Sequence, residues 1–167
     1  MLANGTINEK YELWWSIYAW WSALLTLKMM WLTWQTGQIR WKKQIIHSEE
    51  DRMWMMKEKD ITLCTTGDGH PDVIRIRSAH RRDVETVCTF MIFVPLWLSV
   101  ETCNSTVKIL IPGFALINIL YTLIYLQILR MSVIWKTSSA VISYCILTYI
   151  CTITAVRMSI PILALLI

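Results

Sequence analysis

The stretch RSAHRRDVET, at residues 77–86, runs directly into VCTFMIFVPLWL at residues 87–98. Five of the six side chains from His80 to Glu85 are ionisable, whereas the twelve residues after Thr86 carry no formal charge. Charges at the mouth of a membrane span are costly, so they usually face a bundle interior and mark a site. A basic flank that only orients the helix is the alternative, but such a flank does not require Asp83 and Glu85. The stretch therefore predicts a membrane helix with a site at its entrance.

Three of these charged residues are spaced to share one face of a helix. Arg77, Arg81 and Glu85 recur at intervals of four residues, which places them above one another on successive turns. An arginine fork beside a carboxylate suits a small zwitterionic or anionic ligand. The spacing thus indicates what kind of ligand the entrance would bind.

The composition is that of a membrane protein. Hydrophobic residues make up 55% of the chain and charged residues only 17%, against about a quarter charged in soluble domains. The basic residues are not interleaved with aromatic ones, so nucleic-acid binding is not predicted. The five cysteines are an odd number without a CxxC spacing. They indicate free thiols rather than a disulfide scaffold, and no metal site is predicted.

Apolar runs divide the chain, as a single domain of residues 1–167, into four segments long enough to span a bilayer. The predicted spans are residues 13–39, 83–100, 109–129 and 137–156, and residues 40–82 form a polar loop. This pattern predicts an all-α, integral membrane four-helix bundle in which helices that follow one another in the chain pack together.

The distribution of charge predicts the orientation. The loop of residues 40–82 holds most of the lysines and arginines, which places it in the cytosol. Two glycosylation sequons, at Asn4 and Asn104, then fall on the opposite side of the membrane. The two signals agree on one topology.

Three short stretches resemble a known family. They are TGQIR at residues 36–40, PDV at residues 71–73 and AHRRDVET at residues 79–86. They are similar to the MAPEG family, the membrane-associated proteins in eicosanoid and glutathione metabolism, and most closely to its microsomal glutathione transferase and prostaglandin E synthase branches. The resemblance covers roughly residues 24–125 and includes a lysine, Lys28, in the first helix.

This resemblance implies a homotrimer in the membrane of the endoplasmic reticulum, of other microsomes or of the outer mitochondrion. It also implies a glutathione site between subunits near the cytosolic face, and a lipophilic substrate that arrives from the bilayer among the membrane lipid. Carried over by position, the residues implied to bind glutathione are Arg40, Asp51, His80, Arg81, Glu85 and Tyr125. The two carboxylates and one ammonium of glutathione require arginines and an acidic partner.

The sequence departs from the family at the start of the fourth helix. Arg130 fits the arginine that usually follows the third helix, but Ile134 and Trp135 stand where a second arginine and a serine would hold the ligand thiol. A thiol has a pKa near 8.5 and needs a nearby cation or donor to react at neutral pH. With a shift of register, Lys136, Thr137 or Ser138 would hold the thiol instead. The predicted catalytic residues are Lys136, Arg130 and Ser138.

A second departure lies in the second helix, where Arg82 replaces a common asparagine. Two functions are therefore expected. The first is a glutathione-dependent transferase, peroxidase or isomerase that acts on lipophilic substrates. The second is a catalytically impaired subunit or regulator that only binds glutathione. A channel or transporter lacks support, because the sequence shows no repeat symmetry.

Overall fold

The computed structural model describes residues 2–43, 45–46, 62–63, 70–101 and 103–166. Asp51, one of the residues implied to bind glutathione, lies outside these ranges. The four helices are α1 (Leu2–Lys43), α2 (Pro71–Val100), α3 (Asn104–Tyr125) and α4 (Val133–Leu166). The strands β1 (Ile45–Ile46) and β2 (Thr62–Leu63) pair in parallel and are too short to form a sheet layer. The predicted all-α fold is confirmed.

The charged stretch before the second span is helical and not part of a loop. Helix α2 begins at Pro71, where the missing N–H of proline costs nothing, and His70 Nδ1 caps it by accepting a hydrogen bond from Asp72 N at 3.2 Å. The prediction of a loop over residues 40–82 is therefore wrong at both ends, since α1 continues to Lys43 and α2 starts at Pro71. The predicted third span also ends early, because Gln127 adopts a φ of 60°.

The expected packing of helices in chain order holds for α1 with α2 and for α3 with α4, but not for α2 with α3. Helix α1 packs against α2 and α3, and α4 packs against the same two helices from the other side. Helices α2 and α3 lie diagonally across the bundle and meet mainly in its centre, where the rings of Phe90 and Phe114 stack with centroids 4.4 Å apart. Short turns constrain which ends of two helices are close but not which helices share a long interface.

Three helices are long and apolar enough to cross a membrane by length and composition, namely α2, α3 and α4 up to Ile160. Helix α1 does not reach that hydropathy, because its predicted span is rich in tryptophan, which hydropathy scales rank as nearly neutral. Many of these tryptophans are exposed, among them Trp20 and Trp34 at 63% and 66%, as expected for side chains that contact lipid. The crossing of the membrane by α1 stays a prediction.

One sequon has a packing role. Asn104, the first residue of α3, accepts a hydrogen bond at 2.8 Å from the indole of Trp14, which is 3% exposed. A buried indole N–H needs such an acceptor. Asn104 thereby ties α3 to α1 at the end of the bundle opposite the start of α2. Glycosylation of Asn104 stays untested.

A buried ion pair joins α1 to α2 in the apolar interior. Lys28 Nζ lies 2.9 Å from Asp83 Oδ2, and the two side chains are 9% and 0% exposed. Lys28 also donates hydrogen bonds to Asn118 and, at 3.2 Å, to Thr122, both on α3. Asn118 donates in turn to the hydroxyl of Thr86 at 3.1 Å. This network, named the Lys28 cluster, connects three helices through buried polar groups.

We expect the Lys28 cluster to dominate the stability of the bundle. Lys28→Met and Asp83→Asn should each lower the free energy of unfolding by about 3–5 kcal/mol, because each leaves a buried charge without its partner. The double variant should cost clearly less than the sum of the two, since it leaves no unpaired charge. Unfolding in detergent measures all three, with the exposed Lys108→Met on α3 as control. Strictly additive losses would contradict the pairing.

Candidate functional site

A pocket lies at the end of the bundle where α2 begins and where α3 connects to α4. It has a volume of about 700 Å³ and is here named the basic pocket. Its polar lining residues are Arg75, Tyr125, Gln127, Arg130, Ser132 and Lys136. Its apolar lining residues are Pro71, Ile74, Ile124, Leu129, Met131 and Val133. The pocket is thus an apolar cleft with three cations.

Three residues that the sequence singled out converge in this pocket. Tyr125 closes the last turn of α3, Arg130 lies in the connection, and Lys136 stands on the first turn of α4. Lys136 Nζ lies 5.3 Å from the centre of the Tyr125 ring, within the range of a cation–π contact. A lysine, a tyrosine and an arginine around one cleft can bind an anionic group and donate hydrogen bonds to it.

Two positions at which the family usually holds the ligand thiol, those of Ile134 and Trp135, lie outside the basic pocket. Ile134 and Trp135 are 74% and 56% exposed and do not line the basic pocket. Ser138 is also exposed and lies outside the lining. Of the residues weighed at the start of the fourth helix, Lys136 alone of those the structure describes reaches the pocket.

The remaining residues implied to bind glutathione are not gathered with these three in one chain. Arg81 and Glu85 are exposed, and within the described part of the chain neither forms an ion pair. They lie on the face of α2 opposite to its buried side, which includes Ala79, Asp83 and Thr86. His80 and Arg40 are half-buried on α2 and α1. A single chain therefore presents two separate parts of the implied site.

The sequence reasoning missed Arg75. Its guanidinium Nη1 donates a hydrogen bond to Gln127 Oε1 at 3.3 Å and lies 3.7 Å from Asp72 Oδ1. Gln127 holds a left-handed backbone conformation, which is rare for a residue with a side chain. Its unusual φ turns the chain out of α3 and lets its side chain reach α2. Arg75 is therefore positioned at the pocket wall from both sides.

Arg82 was noted as a departure from the family, but its surroundings were not foreseen. Its guanidinium lies 3.5 Å from the centre of the Tyr121 ring and 5.7 Å from that of Tyr144. Its three guanidinium nitrogens are buried and have no hydrogen-bond acceptor among the described residues. Tyr121 stacks on Tyr125 at 5.6 Å, so an aromatic pair connects Arg82 to the basic pocket.

The shared orientation of Arg75 and Arg82 could have been predicted from their spacing of seven residues. Arg75 and Arg82 are seven residues apart and so share one side of α2, whereas the four-residue spacing drew attention to Arg77, Arg81 and Glu85. Asp83, next to Arg82, points to the other side, where Lys28 holds it. The adjacent residues Arg82 and Asp83 thus belong to different groups of contacts, Arg82 to the tyrosine rings and Asp83 to the Lys28 cluster.

Comparison with known proteins agrees with this architecture. The sequence profile of the MAPEG family matches residues 18–156, which includes Lys28, the whole of α2 and α3, and Lys136. No curated protein sequence matches the chain significantly. The family match and the three apolar helices make the chain a multi-pass membrane protein. Since the matched region covers most of its length and every helix that forms the bundle, the chain belongs to the MAPEG family.

Proposed function

We propose that this protein is a glutathione-dependent enzyme of the endoplasmic reticulum membrane, a transferase, peroxidase or isomerase for lipophilic substrates drawn from the bilayer. The observation that carries the proposal is the convergence of Tyr125, Arg130 and Lys136 in the basic pocket. Family membership supports glutathione-related membrane chemistry in general. A cleft that combines apolar walls with cations suits a reaction between an anionic thiol and an apolar electrophile.

We further propose that the functional unit is a homotrimer with its sites between subunits. Arg81 and Glu85 support this arrangement, because in one chain they stand exposed on the outer face of a helix that enters the membrane. Charges that face lipid are costly. A neighbouring subunit would cover them, and it would bring Arg40, His80, Arg81 and Glu85 towards the glutathione held at another chain's pocket. Asp51 is proposed to contribute from the loop.

In this site, Arg81 and Glu85 would bind the charged groups of glutathione, and Lys136 would hold its thiol as thiolate. A cation beside a thiol favours the ionised and nucleophilic form. The position of Lys136 in the pocket lining supports this role, and we propose Arg130 as a second positive charge and Ser138 as a more remote donor. The tyrosine ring below Lys136 limits the positions of its ammonium group.

The second candidate function is a subunit that binds glutathione without activating it. The exposure of Ile134 and Trp135 favours this alternative, because two positions that usually hold the thiol face away from the pocket. An ammonium is a compact point charge and lacks the planar fork of a guanidinium. Even the active enzyme is therefore expected to stabilise the thiolate weakly and to turn over slowly.

Arg81→Ala should weaken glutathione binding by at least about thirtyfold. The expected loss follows from truncating one member of a buried, hydrogen-bonded charge pair, which costs about 2–5 kcal/mol. Isothermal titration calorimetry of the purified oligomer measures the change. Lys108→Ala, which removes an exposed cation from α3, is the matched control and should bind as the wild type does. Equal affinity of Arg81→Ala in a folded protein would show that the motif only starts a helix.

Lys136→Ala separates the two candidate functions. If Lys136 holds the thiolate, the variant should keep most of the glutathione affinity but lose the ultraviolet absorbance of the bound thiolate and the turnover of a model electrophile such as chlorodinitrobenzene. A wild type that binds glutathione with neither signal would establish the binding-only subunit. Activity that persists in Lys136→Ala would assign the thiol to Arg130 or Ser138 instead.

A further inference from the structure

The basic pocket carries more positive charge than a thiol requires. Arg75, Arg130 and Lys136 come from α2, the connection and α4, and no acidic side chain is among the described residues that line the pocket. Asp72 approaches Arg75 from outside the pocket at 3.7 Å, and both side chains are partly solvent-exposed. An exposed pair of this kind contributes little. The pocket therefore retains a net positive charge directed at its occupant.

The rim of the pocket is apolar and lies at the end of three membrane helices. Three residues of its lining are exposed, Leu129 at 39%, Met131 at 43% and Val133 at 71%, and the exposed Ile128 and Trp135 lie beside them in sequence without lining the pocket. Exposed aliphatic residues beside a tryptophan are typical of a segment immersed in the interface between lipid and water. This composition supports a position of the pocket mouth at the level of the lipid headgroups, with the apolar lining continuing into the exposed rim.

The positive charge of the basic pocket and its position relative to the membrane together indicate which kind of ligand it binds. A phosphate oxygen accepts hydrogen bonds from guanidinium and ammonium groups, and basic pockets between membrane helices on the cytoplasmic side bind anionic headgroups. A soluble phosphate compound would use the three cations but not the exposed apolar rim. A phospholipid uses both, because its acyl chains leave the pocket along Leu129, Met131 and Val133.

We propose that the basic pocket binds the phosphate of an anionic phospholipid from the cytosolic leaflet, with Arg75, Arg130 and Lys136 as its ligands. Arg75 would serve the lipid alone, whereas Arg130 and Lys136 are shared with the proposed glutathione site. Lipid phosphate and glutathione thiol then compete for two cations. The lipid composition of the membrane would thereby adjust the glutathione affinity of the enzyme.

The test uses the purified full-length protein, stripped of lipid in detergent and titrated with phosphatidylglycerol or phosphatidylcholine while native mass spectrometry counts bound lipid. The wild type should prefer phosphatidylglycerol at least about tenfold, because the choline ammonium of phosphatidylcholine cancels its phosphate charge, whereas each basic residue near an uncompensated anion contributes about a factor of five. Arg75→Gln should lower that affinity about fivefold. Arg75→Lys, which keeps the charge, should restore most of it, and Lys108→Gln should change nothing. Equal binding of both lipids, or an unaltered Arg75→Gln, would overturn the proposal.

Two further measurements separate the alternatives. Glycerophosphoglycerol, which is phosphatidylglycerol without its acyl chains, should displace the lipid only weakly; displacement at similar concentration would assign the pocket to soluble phosphate compounds and refute the lipid. Glutathione calorimetry on Arg75→Gln distinguishes this inference from the proposed function. Without lipid, Arg75→Gln should bind glutathione with the affinity of the wild type. Added phosphatidylglycerol should weaken the glutathione affinity of the variant less than that of the wild type. An equal effect of the lipid on both proteins would refute the competition.

Discussion

The ion pair between Lys28 and Asp83 is the constraint on which the rest of the bundle depends. Neither charge is tolerable alone in an apolar interior, so α1 and α2 must meet where the two side chains are 2.9 Å apart. Asn118 and Thr122 then fix α3 in the same network. The bundle cannot rotate or slide these three helices without leaving a buried polar group unpaired, which gives the fold its register.

This register determines where the neighbouring charges point. With Asp83 held towards α1, the adjacent Arg82 points to the other side of α2, towards Tyr121 on α3 and Tyr144 on α4. About two turns earlier on the same side of α2, Arg75 reaches the wall of the basic pocket. Arg81 lies on the outer face, where a second subunit would be required to cover it. One helix therefore carries a structural charge, a pocket charge and an exposed charge on separate sides.

Features that are encoded by short stretches of sequence could be predicted from the sequence alone. Apolar length predicted the helices, the charged entrance of α2 predicted that polar residues would concentrate there, and the chain-long pattern with its motifs pointed to the family. The convergence of Tyr125, Arg130 and Lys136 was foreseen only as what the resemblance implied. The start of the second span was placed too late, at residue 83, because clustered charges resemble a solvated segment, although Pro71 with His70 before it is a good helix start.

The features that escaped prediction depend on contacts between distant residues. The diagonal placement of α2 and α3 follows from the partners of Lys28, which no periodicity encodes. The contact between Arg75 and Gln127 depends on one left-handed residue at the end of α3. Lys28 was noted as a family feature, but its partner was not, because a pair 55 positions apart in sequence leaves no local pattern.

The central claim is that the protein binds glutathione at sites completed between subunits. Native mass spectrometry of the wild-type protein in detergent, with glutathione added in increasing amounts, tests it in one measurement. The account predicts a trimer that takes up glutathione to a limit of one per chain, with no adduct on any monomer released at higher collision energy. A stable monomer, or a trimer to which glutathione never binds above the level of a non-specific peptide, would contradict it.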